Sequence, residues 1–147
     1  PHVTSATDPR GVKIGGSFPQ NSREANPCNC RIDDLMFIVW ALTPLEVLSA
    51  LWRRRRLGEI EVRAQASAEG ALVALEMAWA VVADVAQVDR RARRLLATHP
   101  LRAADTAQLA AALVACDEHP ERLPFVTIDE RLAEAARREG FAVIPAA

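Results

Sequence analysis

The sequence predicts an α/β domain with a mainly parallel sheet, and three stretches of it carry that reading. Leu35-Met36-Phe37-Ile38-Val39-Trp40-Ala41 is an unbroken apolar run, short enough for a strand buried on both faces. Phe125-Val126-Thr127-Ile128 is a short β-rich run, after which a helix is expected from Glu130 to Glu139, a stop at Gly140 and a last strand at Phe141-Ala142-Val143-Ile144. Strand, helix and strand joined by short links form a βαβ unit, which requires parallel strands. The third observation is the chain between these stretches, which is rich in alanine and reads as helix.

Taken in order, residues 1–34 differ from the rest. Gly11, Gly15, Gly16, Pro9, Pro19 and Pro27 break any period, and Asn21, Ser22 and Asn26 add turn chemistry. A loose arm is expected there, with Val12-Lys13-Ile14 the best short strand candidate. Residues 35–147 form the expected domain. Thr43-Pro44-Leu45-Glu46 reads as a capping box with proline at the first helical position, and Leu45, Leu48, Leu51 and Trp52 recur at helical spacing. Arg53 to Arg56 closes that helix, with Gly58 as its stop. Glu59 to about Ala83 reads as helix, and so does Asp89 to Ala97, which His99-Pro100 terminates. A further helix runs from Ala103 to about Cys116, with Asp105, Leu109, Leu113 and Cys116 on one face. Pro120 and Pro124 frame the loop before the βαβ unit.

Composition narrows the function classes. Half of the 147 residues are hydrophobic, so a core can form, and the length favours one domain. The net charge is −1, from 18 basic and 19 acidic residues, so nucleic-acid binding would have to come from a local patch. No apolar run approaches a membrane span and no signal-peptide pattern is visible, which gives a cytoplasmic expectation. Cys28 and Cys30 form a C-x-C pair, too few ligands for a structural zinc site, and His2, His99 and His119 lack ligand spacing. Cys116 sits on an apolar stripe and reads as core.

The candidate chemistry lies in three acids. Glu46 follows the first strand and Asp129 follows the strand at 125–128. Strand-to-helix junctions of a parallel sheet lie at its carboxyl edge, where ligands bind. Asp105 opens another helix and is placed to join them. Carboxylates gathered in this way suit a hard divalent cation such as Mg²⁺ or Mn²⁺. Each acid is also a good helix cap: Glu46 completes the box with Thr43, and Asp105 and Asp129 suit N-cap positions. Convergence on one edge does not separate a metal site from three caps. The basic clusters, Arg53 to Arg56 and Arg90, Arg91, Arg93 and Arg94, read singly as solvated faces and jointly as phosphate holders.

Three segments resemble those of PIN-domain proteins. Thr43-Pro44-Leu45-Glu46-Val47-Leu48-Ser49-Ala50-Leu51 resembles the second-acid segment. His99-Pro100-Leu101-Arg102-Ala103-Ala104-Asp105-Thr106-Ala107-Gln108-Leu109-Ala110 resembles the third, and Phe125-Val126-Thr127-Ile128-Asp129-Glu130-Arg131-Leu132 the last. Their order and spacing, over residues 35–147, resemble the VapC-type toxins of toxin–antitoxin pairs. The resemblance implies a three-layer α/β/α sandwich with a mainly parallel central sheet. It also implies Mg²⁺- or Mn²⁺-dependent cleavage of RNA, with Glu46, Asp105 and Asp129 as catalytic metal-holding acids and Thr127 in support. An antitoxin partner and a homodimer are further implications.

One part departs from the family. Its first strand ends in an aspartate followed by Thr-Ser-Ala, whereas Val3-Thr4-Ser5-Ala6 carries valine in the acid's place; Asp8 is nearby but off register. Either the N-terminal region is altered relative to its relatives or the chain is a degenerate member. Losing that acid weakens a cation site, and losing that strand leaves a sheet edge open. Three functions therefore compete: a metal-dependent ribonuclease toxin, a catalytically impaired PIN-like domain that binds an antitoxin or RNA without cleaving, and a helical adaptor with no parallel sheet.

Overall fold

The computed structural model describes Val12–Lys13 and residues 37–144. The readings for Val3 to Ala6, Asp8, Cys28, Cys30, His2, Leu35 and Met36 lie outside the described residues. In chain order the elements are β1 (Val12–Lys13), β2 (Ile38–Trp40), α1 (Thr43–Arg56), α2 (Val62–Glu76), β3 (Ala80–Val82), α3 (Val85–Thr98), α4 (Ala103–Ala115), a 3₁₀ turn at Pro120–Arg122, β4 (Phe125–Val126), α5 (Glu130–Arg138) and β5 (Val143–Ile144).

The described strands form two small sheets. The first has the order β1-β3-β2, with β2 parallel to β3 (Ile38 opposite Ala80, Trp40 opposite Val82) and β1 antiparallel to β3. The second pairs β4 with β5 in parallel, Phe125 opposite Val143. The fold is therefore mixed α/β with parallel pairing. The βαβ reading of 125–144 is borne out; the parallel pairs run against the helical adaptor, which expects no parallel sheet, while β2 and β4, expected side by side, fall in different sheets.

Several boundaries move. The stretch expected as helix from Glu59 to Ala83 ends at Glu76, and Ala80–Val82 is a strand. Alanines masked the change of period, but Trp79, Val81 and Val82 are β-prone, and Ala80 and Val82 are buried between flanking strands. β1 forms where the sequence offered only a weak candidate, because β3 supplies an edge to pair with. α3 starts at Val85 rather than Asp89, since the Asp84 carboxylate accepts a hydrogen bond from the Gln87 amide and caps the helix there. β4 and β5 are shorter than the apolar runs that announce them.

α4 organises the core. Thr106, Leu109, Ala110, Ala111, Leu113 and Val114 are all buried, so the helix is covered on most of its circumference by α3, β2, β3 and α5. The alanines let neighbours approach closely, and Leu109 and Leu113 fill the space with Val82, Val88 and Leu95. Each fully buried leucine contributes about 1.5–3 kcal/mol by leaving water. α5 lays down one apolar face, Leu132, Ala133, Ala135 and Ala136. By contrast α1 buries no residue: Leu45 and Trp52, expected on its core face, are at least half exposed.

Helix ends show why the chain turns where it does. α5 closes with Gly140 (φ 96°): its amide donates to the Arg137 carbonyl and the Phe141 amide to the Ala136 carbonyl. α1 closes in the same way at Gly58 (φ 74°). After α4 the same turn is made by Asp117 and Glu118, at φ 53° and 60°, where side chains are strained. As expected, His99 adopts extended backbone before Pro100 and ends α3.

Candidate functional site

The Asp129 side chain is fixed by local structure. One oxygen, Oδ1, accepts from the amides of Arg131 and Leu132, both at 2.9 Å, so Asp129 is the N-cap of α5. Its own amide donates to Thr127 Oγ1 at 3.1 Å, which sets the turn from β4 into the cap. Thr127 thus supports Asp129 through the backbone. Oδ2 receives no hydrogen bond from the described residues.

The capping readings of the other two acids need correction. Arg102 is the N-cap of α4, and Asp105 lies in its first turn, half-buried, with no hydrogen bond to a described residue. Leu42, not Thr43, precedes α1, and no side chain caps that helix. The Glu46 carboxylate is drawn elsewhere: its Oε2 accepts from Gln108 Nε2 at 2.7 Å, across 62 residues of sequence. That bond ties the first turn of α1 to α4, one helical turn beyond Asp105.

Asp105 and Asp129 come together. They line one polar cavity of about 280 Å³ with Pro100, Leu101, Arg102 and Arg131. Glu46 is not part of its wall. Among the described residues no group of three or more His, Cys, Asp and Glu side chains is placed to hold a metal ion. The structure thus brings two of the expected acids into one cavity, with the third on the Gln108 amide nearby. Gln108 had no assigned role in the sequence; its place one turn after Asp105 on the half-buried side of α4 was the available signal.

A second polar cluster escaped the sequence altogether. His99, nearly buried, lies with Nε2 2.7 Å from Glu139 Oε1, and Arg91 Nη2 lies 2.8 Å from Glu139 Oε2. Arg91 Nε also reaches Glu118 at 2.9 Å. Burial pushes the Glu139 carboxyl up, but the His99 and Arg91 hydrogen bonds outweigh it and hold the group below the usual carboxylate range. Arg91 is therefore a structural clamp joining α3, the turn after α4 and the end of α5, not a solvated arginine. Arg93 is the solvated arginine the sequence suggests, exposed and paired with Asp89. Cys116 is core as expected: its thiol donates to the Leu113 carbonyl, and burial raises its pKa.

No helix among the described residues is long and apolar enough to cross a membrane. Comparison with known proteins gives no match: no family model fits the sequence, no curated protein aligns with it, and no solved structure matches it.

Proposed function

We propose that the chain is a PIN-type domain acting as a Mg²⁺- or Mn²⁺-dependent ribonuclease toxin, with a cytoplasmic antitoxin as its partner and a three-layer α/β/α sandwich around a parallel sheet as its scaffold. The observation that carries this reading is the shared cavity of Asp105 and Asp129, acids brought together by two helix N-termini from distant sequence. Mg²⁺ is commonly held by one or two carboxylates, with water and substrate phosphate completing its shell, and this pair fits that requirement. When bound, the cation supplies an activated water nucleophile near neutral pH. Arg102 and Arg131, in the same cavity, are suited to hold the RNA phosphate against the acids. Glu46, released from Gln108, is the nearby third carboxylate, and Asp8 remains a weak fourth candidate.

The partner reading has its own support. α1 and α2 expose Leu45, Trp52, Val62 and Val73, with Met77 at the end of α2, each at least half out of the fold. An antitoxin segment or a second copy of the chain would cover them.

Three observations favour the impaired alternative, an antitoxin- or RNA-binding domain without turnover. Glu46 is engaged by Gln108, one oxygen of Asp129 is spent on the cap, and no three-ligand group is in place among the described residues. Incubation of purified protein with RNA and Mn²⁺ separates the two. The nuclease reading expects cleavage that stops on addition of chelator and is lost in Asp105→Asn. Cleavage that survives Asp105→Asn sinks the assigned site, and absence of any metal-dependent cleavage favours the impaired domain.

A further inference from the structure

The two sheets are separated by an apolar cleft of about 440 Å³. One wall is the run Phe37 to Trp40 and the other the run Leu123 to Val126. Consecutive residues line both walls, so the cleft runs along strand edges, not across sheet faces. The floor is α4, which presents Ala111, Ala112 and Ala115.

The hydrogen-bond pattern shows what the edges offer. The Ala80 amide donates to the Phe37 carbonyl and the Ala41 amide to the Val82 carbonyl, so odd-numbered residues of β2 face β3. By the alternation of a parallel ladder, the amides and carbonyls of Ile38 and Trp40 face the other way. Likewise Phe125 and Thr127 donate to β5, to the carbonyls of Ala142 and Ile144. The amide and carbonyl of Val126 therefore point away from β5. No described residue takes up these groups, and they border an apolar space where an unpaired backbone group is costly.

We propose that the cleft receives one extended strand from a partner polypeptide, which hydrogen-bonds to β2 on one side and β4 on the other and joins the two half-sheets. The complementarity selects the occupant. A small apolar ligand would fill the volume but leave the Ile38, Trp40 and Val126 groups unpaired. A helix satisfies its own backbone, offers these edges nothing and is about 10 Å across. An uncharged strand of about four residues spans roughly 13 Å, in keeping with the short walls, and presents donors and acceptors on both edges. The alanine floor calls for small side chains on the face toward α4. This inference stands apart from the nuclease reading and uses none of its acids.

The test uses the full chain and a panel of two capped octapeptides of alternating valine and threonine, one with alanine at its centre, each with terminal lysines. Amide exchange is followed at Ile38, Trp40 and Val126. Strand insertion slows exchange at all three by tenfold or more, and N-methylation of alternate peptide nitrogens weakens binding by about tenfold or more, since several backbone hydrogen bonds are lost together. Ala112→Phe, which raises the floor, weakens binding comparably, and the N-methylated peptides provide the same test on unaltered protein. The proposal is overturned if neither peptide protects these amides, or if the N-methylated forms bind equally well. It is also overturned if the amides are already protected in the free monomer, or if they become protected only as the chain dimerises.

Discussion

Replacing Glu139 with alanine should expose how much of the fold depends on the clamp between α3, α5 and the turn after α4. Glu139 accepts two short hydrogen bonds, from His99 at 2.7 Å and Arg91 at 2.8 Å, and only a fifth of its side chain is exposed. Removing one partner from a fully buried ion pair costs about 3–5 kcal/mol. Here the cost is lower, because Arg91 keeps Glu118 and its side chain is 18% exposed, not sealed from water. We expect Glu139→Ala to lose about 2 kcal/mol, or about 5 °C in Tm for a domain of this size. The sign of the pH dependence follows from the carboxyl's lowered folded pKa. Such a group contributes stability above its unfolded value, about 4.3, and that contribution is lost as pH falls through the lower folded value. Urea unfolding of both proteins at neutral pH and down through the acid range should show the gap closing on acidification. An unchanged midpoint at neutral pH, or a gap that persists with the carboxyl protonated, would refute the reasoning.

Three other outcomes follow from the same geometry. Gly140→Ala should destabilise by about 1–2 kcal/mol in thermal unfolding, because φ is 96° and the new Cβ would lie 3.0 Å from Pro120 Cγ. Asp129→Asn keeps an N-cap acceptor but removes the charge, so the unfolding free energy should hold within about 0.5 kcal/mol while metal-dependent cleavage disappears; Asp129→Ala should lose the cap as well, about 1 kcal/mol. Cys116 should resist thiol reagents in the folded protein and react only on unfolding, since it is buried and its thiolate is disfavoured.

Much of the helical framework was legible because each feature had a local cause. Asp129 was readable as a cap, His99-Pro100 as a stop and Gly140 as a left-handed turn, and the structure has all three. The apolar runs at 35–41 and 125–128 located β2 and β4, and the βαβ rule gave β5 its direction. β3 was hidden because alanine suits helix and buried strand alike, and only its pairing with β1 and β2 decides. The site was legible in part. Asp105 and Asp129 share a cavity because two helix starts meet, which topology foretells. The partner of Glu46 was not legible, since Gln108 is 62 residues away and a capping box offered a nearer use for the same carboxylate. The clamp on Glu139 was invisible for the same reason: His99 and Arg91 reach it across 40 and 48 residues.

The central claim is that Asp105 and Asp129 form a cation site. Calorimetric titration of the full chain with Mn²⁺ tests it most directly, because uptake is read without any assumption about the RNA target. The wild-type chain should bind saturably, and binding should be lost in Asp105→Asn and in Asp129→Asn, with both variants still folded. Absence of saturable uptake in the wild-type chain, or equal uptake in the variants, would contradict it.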